Sequence, residues 1–336
     1  MSQGTATGAQ PEAFRLVCMS HSPLLLSVTP RDRRLGEGFF AAIDVARRAI
    51  ESFRPELVVI FAPDHFNGFF YGIMPPFCVG TAARSGADWD IEPGTLRVPK
   101  PMAERLCTAV REAGVDLAIS HRMAVDHGAT IPLRMLFGRL DACDTIPIFV
   151  NCAAPPLPSC GRVRKLGEAV GRFLVTTRLR TLIIGSGGLS HDPPHPGFEA
   201  APPDAREYLL GAQLWTIAIE RKRQERVRRG ADQLIQGGGP CLPPNRAWDR
   251  NVLDRLLMGD LVAFDSFADE WISREGGSGG HEIRNWIAAF AALGAGGTYE
   301  AEELFYAIIT DWITGMAVVH GTAAVAAPSG TSLSGL

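Results

Sequence analysis

Short apolar runs alternate along the chain with longer stretches in which apolar residues recur every three to four positions, the pattern of strands alternating with helices. Leu16 to Met19 predicts a strand, Arg33 to Phe53 a helix, and 57-LVVIFAPDH-65 a near-continuous apolar strand of the kind buried on both faces. The cycle then repeats. Pro101 to Ala113 predicts a helix, 115-VDLAIS-120 a strand, Thr130 to Leu140 a helix and 146-IPIFVNC-152 a strand. Gly161 to Thr176 predicts a helix leading into 181-TLIIGSGGLSH-191, a strand that empties into a glycine-rich loop. From Asp204 onward the pattern is mainly helical; 276-GGSGG-280 reads either as a linker or as a flexible approach to the helix of 281-HEIRNWIAAFAAL-293. The expected fold class is α/β: a mostly parallel or mixed central sheet flanked by helices, in one large domain with a helical C-terminal part. The small-residue leader, residues 1–13, is expected to be disordered, and the tail, residues 316–336, is expected to fray.

Composition narrows the class. A chain of 336 residues, 46% of them hydrophobic, can bury a large core. A formal net charge of −3 gives no electrostatic footprint for nucleic acid or an anionic membrane. The one dense basic run, 221-RKRQERVRR-229, is interrupted by Glu225 in a helix-like stretch and predicts a solvated helix face. No apolar run approaches the roughly 20 residues that span a bilayer, and the N-terminal stretch lacks a basic segment followed by an apolar one. Seven cysteines, an odd number with no C-x-x-C pair, argue against a disulfide framework and a zinc ribbon. A soluble protein of the reducing cytoplasm is expected.

The histidines add chemistry. His21 in S-H-S-P, His65 in A-P-D-H-F-N-G, His127 in V-D-H-G and His191 in G-G-L-S-H all fall at predicted strand ends or helix starts. Strand ends of an open α/β sheet converge, so these residues would line one pocket. Glu282, at the start of the late helix, completes a candidate metal site, although a carboxylate there also suits the helix dipole. Ser278 forms no capping box with it, because the third residue on is His281. Rival motifs fail: 185-GSGGLS-190 lacks the last glycine of a dinucleotide fingerprint and is no G-x-S-x-G elbow. His191 and His195 have the spacing of H-E-x-x-H, but Pro193 and Pro194 forbid that helix. His121, His195, His281 and His320 read as surface or packing residues.

In order along the chain, M-S-H-S-P, F-A-P-D-H-F-N-G-F-F-Y, M-P-P-F-C, V-D-H-G, G-S-G-G-L-S-H and H-E-I-R-N-W-I-A-A-F resemble the class III extradiol ring-cleavage dioxygenases. The resemblance covers residues 14–315 as one catalytic domain. It implies Fe(II) bound by His21, His65 and Glu282, His127 as proton donor and His191 as proton acceptor. Asp126 would orient the neighbouring ring or cap the helix that follows. It further implies a small-molecule catechol and O2 as substrates, with 3-(2,3-dihydroxyphenyl)propionate or 2,3-dihydroxycinnamate preferred, and an assembly of identical copies. Two imidazoles and a carboxylate on one face of iron leave the other face open, as non-haem oxygenases require. Two rivals use the same residues: a zinc hydrolase, since two histidines and a glutamate also make a catalytic zinc set, and a metal-binding scaffold that has lost turnover.

Overall fold

The computed structural model describes residues 12–195, 197–211 and 217–324. Among the described residues ten strands are formed: β1 Glu12–Met19, β2 Leu57–Ala62, β3 Phe77–Gly80, β4 Ala83–Ser85, β5 Ala118–Ser120, β6 Met123–Val125, β7 Thr145–Val150, β8 Thr181–Ser186, β9 Tyr299–Ile309 and β10 Thr314–Ala324. The helices are α1 Arg33–Phe53, α2 Lys100–Glu112, α3 His127–Phe137, α4 Cys160–Thr177, α5 Pro203–Leu209, α6 Ile217–Ile235, α7 Arg246–Met258, α8 Asp269–Gly276 and α9 Ile283–Gly294. Eight strands make one mixed sheet in the order β5-β3-β7-β2-β8-β1-β10-β9, and β4 pairs with β6 in a small second sheet.

Four neighbouring strands at the centre, β7, β2, β8 and β1, are parallel; β3 adjoins β7 and β10 adjoins β1 antiparallel, and β5 pairs parallel to β3 at the edge beyond it. Every residue of β2, β7 and β8 is buried, because helices cover both faces, and this is why those strands read as unbroken apolar runs. On one face α2, α4, α7 and α9 pack into a core containing Phe61, Leu166, Trp248 and Trp286. The other face carries α1 and α3, with Phe39, Ile43, Leu133 and Trp312 in its core. Helix α1 spans the predicted residues: Asp32 caps its start by accepting from the Arg34 amide, and Arg54 ends it at a left-handed φ of 50° immediately before Pro55.

Two terminal expectations are corrected. Residues 12 and 13 of the expected leader belong to β1, because Glu12 pairs with Ala324 across the sheet. Residues 316–324 of the expected tail do not fray. They form β10 between β1 and β9, and Met316, Ala317, Val318 and Val319 are fully buried there. The run reads as a frayed end only while its two strand partners, far away in sequence, are unknown. The remaining leader and tail residues, 1–11 and 325–336, lie outside the described ones. Helices fill the late region as expected up to Gly294, and the β9–β10 hairpin then adds two antiparallel strands. No described helix is long and apolar enough to cross a membrane.

Candidate active site

The strand order decides what meets. Parallel strands β1 and β2 flank β8, so all three C-terminal ends emerge side by side. His21 follows β1, His65 follows β2, and the chain leaving β8 carries His191. Helix α9 packs over β8 and brings in Glu282 from the turn before it. His127 starts α3 rather than preceding it, because the Asp126 carboxylate accepts from the Gly128 amide and caps the helix there. All five side chains line one cleft of about 1030 Å³, its open mouth included.

Local structure fixes the face that each imidazole presents. Pro132 has no N–H to give the Gly128 carbonyl a turn earlier, and that carbonyl instead accepts from Ser186 Oγ at 2.5 Å. With its proton so engaged, Ser186 accepts from His21 Nδ1 at 2.8 Å. His65 Nδ1 donates to Asp126 Oδ2 at 3.0 Å, and the same oxygen takes the His65 amide at 2.7 Å. Both rings thus turn Nε2 lone pairs toward Glu282, whose oxygens lie 3.1 Å from His65 Nε2 and 3.7 Å from His21 Nε2. Lone pairs that close to a carboxylate need a cation between them, a proton or a metal ion. Glu282 also accepts from the Gly188 amide, at 2.6 Å.

Charge in the cluster follows from burial and neighbours. Burial pushes His21 down to about 3, against the pull of Glu282. Burial opposes protonation of His65 too, yet the Asp126 and Glu282 carboxylates outweigh it and raise His65 well above its ordinary value. Glu282 is held well below the usual carboxylate range by His21 and His191, although burial works the other way. Burial and the nearby Asp126 charge push Asp64 up to about 7, against amide donors at Asn67 and Phe69.

The other two histidines are oriented differently. His191 Nδ1 donates to the Leu189 carbonyl at 2.8 Å, which leaves Nε2 as a lone pair 3.6 Å from Glu282. His127 stacks on His65 with ring centroids 4.1 Å apart, and its Nδ1 donates to Asp88 Oδ2 at 2.6 Å. Asp88 also accepts the His127 amide, at 2.7 Å. Trp89 and Asp90, just beyond it, hold left-handed φ values of 52° and 59°, conformations that non-glycine residues adopt at some cost. The Trp89 amide is anchored on Glu220 of α6.

Several readings of the sequence change here. Asp126 caps α3 and steadies His65; the carboxylate that orients the His127 ring is Asp88, which carried no signal in 83-ARSGADWDI-91. The 276-GGSGG-280 run is not a linker. It wraps His191: Gly277 has a φ of 77°, and a Cβ on Gly279 would lie 2.1 Å from His191 Nε2. Glycine is what lets the turn before Glu282 close over that ring. The basic run in α6 is only partly solvated, because Arg223 and Arg226 line the cleft. His195 lines it as well, His121 bonds Thr81, and His320 pairs with Glu302.

His281 is a packing residue, as its neighbours show. Its Nδ1 accepts from buried Arg284 at 2.6 Å and its Nε2 meets Ser273 Oγ at 2.8 Å. Burial, then the Arg284 charge, push it down to about 3. In the unfolded chain it would titrate near 6.5. The unfolded state therefore binds the extra proton between those values, and the stability that neutral His281 contributes is complete above pH 6.5 and is lost as pH falls toward 3. The melting temperature of the metal-free protein is expected to drop over that interval, and His281→Asn to flatten the dependence in calorimetry; an unchanged slope would contradict the assignment.

Comparison with known proteins agrees with this geometry. Residues 15–317 match the family model described as the catalytic LigB subunit of aromatic ring-opening dioxygenase. The chain is 46% identical over 305 residues to a 2,3-dihydroxyphenylpropionate/2,3-dihydroxicinnamic acid 1,2-dioxygenase of Photorhabdus laumondii, covering 91% of this chain and 96% of that protein. It is 47% identical over 303 residues to the protein of the same name from Mycobacterium sp. (strain MCS), covering 90% and 96%. To that from Rhodococcus sp. it is 43% identical over 308 residues, covering 92% and 98%.

Proposed function

Because this chain belongs to the family of the catalytic LigB subunit of aromatic ring-opening dioxygenases, we propose that it opens 3-(2,3-dihydroxyphenyl)propionate and 2,3-dihydroxycinnamate by extradiol cleavage, with Fe(II) held by His21, His65 and Glu282. The observation that carries the ligand set is the pair of Nε2 lone pairs facing one buried carboxylate, each fixed by a hydrogen bond at the opposite ring nitrogen. Such supported imidazoles with a carboxylate suit a divalent ion. When bound there, iron supplies open positions for the catechol oxygens and O2 and lowers the pKa of a phenol that would otherwise titrate near 10.

The rest of the chemistry belongs to the chain. His191 accepts a catechol hydroxyl proton at Nε2, the only ring nitrogen left open by its bond to Leu189. His127 donates a proton from Nε2 to the oxygen released as the O–O bond breaks and a ring carbon migrates, and that oxygen, returning as hydroxide, hydrolyses the resulting lactone to the open chain; Asp88 orients the ring through Nδ1. Pro63, Phe66, Trp89, Val227 and Ile313 give the cleft apolar walls that receive an aromatic ring and exclude water. Both oxygen atoms enter the product, and the ring breaks between a hydroxylated carbon and the carbon bearing the side chain. We place the reaction in the cytoplasm, in keeping with seven unpaired, buried cysteines.

Anaerobic loading with Fe(II), followed by air and a panel of catechols, tests the proposal. A yellow 2-hydroxy-6-oxo-diene dicarboxylate carrying label from both atoms of heavy O2, less any lost by exchange with water, is expected. A muconate, opened between the two hydroxyls, would overturn the cleavage mode. Full activity with zinc and no O2 uptake would favour a hydrolase.

A further inference from the structure

Helix α6 turns one stripe toward the cleft. Glu220, Arg223, Arg226 and Val227 recur at three- and four-residue spacing, so they share a face. Glu220 holds the Trp89 loop, and the other three line the cleft. The two arginines differ in what they touch. Arg223 is fully engaged with the protein: it donates to the His65 carbonyl at 2.5 Å, to Asn67 Oδ1 at 3.1 Å and to the Tyr208 hydroxyl at 2.9 Å. That makes it a clamp on the loop carrying His65.

Arg226, about one turn further along α6, has no ion pair or hydrogen bond to any described residue. Its surroundings disfavour its charge: burial, then the positive charge of Arg223, weaken its hold on its proton. The acids of the cleft are occupied elsewhere. Asp64 accepts the amides of Asn67, Gly68 and Phe69, and Glu282 faces the imidazoles on the cleft floor. A guanidinium at the mouth of the cleft beside another cation, with no anion of its own among the described residues, is a receptor for an anion brought from outside.

The polarity of the cleft says which anion. Its floor is buried and polar, with His21 2% and Glu282 5% exposed, whereas Arg226 lies at the solvent-exposed rim. Apolar side chains share the cleft with both: Phe66 follows His65, Trp89 stands edge-on to the His127 ring at 6.3 Å, and Val227 follows Arg226. A ligand matched to this sequence of surfaces has metal-seeking oxygens at one end, an aromatic body and a carboxylate at the other. We infer that Arg226 binds the side-chain carboxylate of the catechol substrate and so sets the preference for carboxylated over neutral 3-substituted catechols, an inference that rests on the function proposed above.

The test compares the iron-loaded parent with Arg226→Ala and Arg226→Lys on two substrates of similar shape, 3-(2,3-dihydroxyphenyl)propionate and 3-propylcatechol. For Arg226→Ala the ratio of kcat/KM between the carboxylated and the neutral substrate is expected to fall about 10- to 100-fold, chiefly through KM, as loss of a charge-assisted contact implies. Arg226→Lys should recover part of it, since the charge survives and the planar fork does not. Anaerobic titration with 3-phenylpropionate, which keeps the carboxylate but has no hydroxyls, should show weaker binding to Arg226→Ala by a similar factor. Equal losses on both substrates, or an unchanged ratio, would overturn the assignment of Arg226 while leaving the ring-opening function in place. A parent enzyme that opens neither catechol yet binds 3-phenylpropionate through Arg226 would instead refute the proposed function and retain the anion site.

Discussion

Glu282→Ala is expected to yield a folded protein that holds no iron and turns over at background. The carboxylate is buried, lies within 3.7 Å of Nε2 on both His21 and His65, and among the described residues is the one acid that faces that pair of lone pairs. Removing it leaves two neutral donors, too few to retain a divalent ion against water. His21→Ala and His65→Ala should behave alike, with iron content by elemental analysis falling in step with activity. Glu282→Gln separates charge from shape: an amide oxygen can still accept from the Gly188 amide, so the loop after β8 should stay closed while metal is lost. A rival triad exists, because ligand atoms of His21, His65 and His127 lie within 4.8 Å of one another. If Glu282→Ala keeps its iron and His127→Ala loses it, that triad is the right one. The stacking of His127 on His65 favours a ring beside the metal rather than on it.

Much of this arrangement was legible in the sequence, for a physical reason. Buried parallel strands must be apolar throughout, so β2, β7 and β8 announce themselves, and a polar ring just past such a strand stands out. His21, His65 and His191 are all of this kind, and their convergence follows from β1 and β2 flanking β8. What stayed hidden depends on partners distant in sequence. Strand β10 is a short apolar run among small residues, and only pairing with β1 and β9 makes it a strand. Asp88 sits in a loop with two left-handed residues, where an aspartate ordinarily signals a turn and nothing more. Arg223 and Arg226 belong to a run whose composition suits solvent; which members turn inward depends on how α6 is rotated, and charge spacing alone does not fix that. The glycines before His281 read as looseness until the ring they enclose is known.

His127→Ala and His191→Ala are expected to keep iron and lose about 100- to 10,000-fold in turnover, the range that general acid-base groups supply. The two should fail at different steps. Without the His191 Nε2 lone pair the second catechol proton has no acceptor, so anaerobic substrate binding, followed by the ultraviolet shift of the bound catecholate, should show incomplete deprotonation. In the metal-free protein the charge of Glu282 raises His191, although burial opposes it. A cation held by His21, His65 and Glu282 would offset that charge and favour the neutral, accepting ring. Without His127, binding and deprotonation should be intact and the defect should fall on ring opening. Asp88→Asn extends the argument: the amide can replace the hydrogen bond to Nδ1 but not the carboxylate beside the proton donor, and turnover should drop about 10- to 100-fold with iron content unchanged. The parent kcat/KM should trace a bell against pH, its acid limb reporting a base that must be neutral and its alkaline limb an acid that must be charged. In Asp88→Asn the loss should fall on ring opening, as in His127→Ala, with substrate binding and deprotonation intact. A loss of substrate deprotonation in that variant would show that the carboxylate beside His127 holds the loop and does not serve the proton donor.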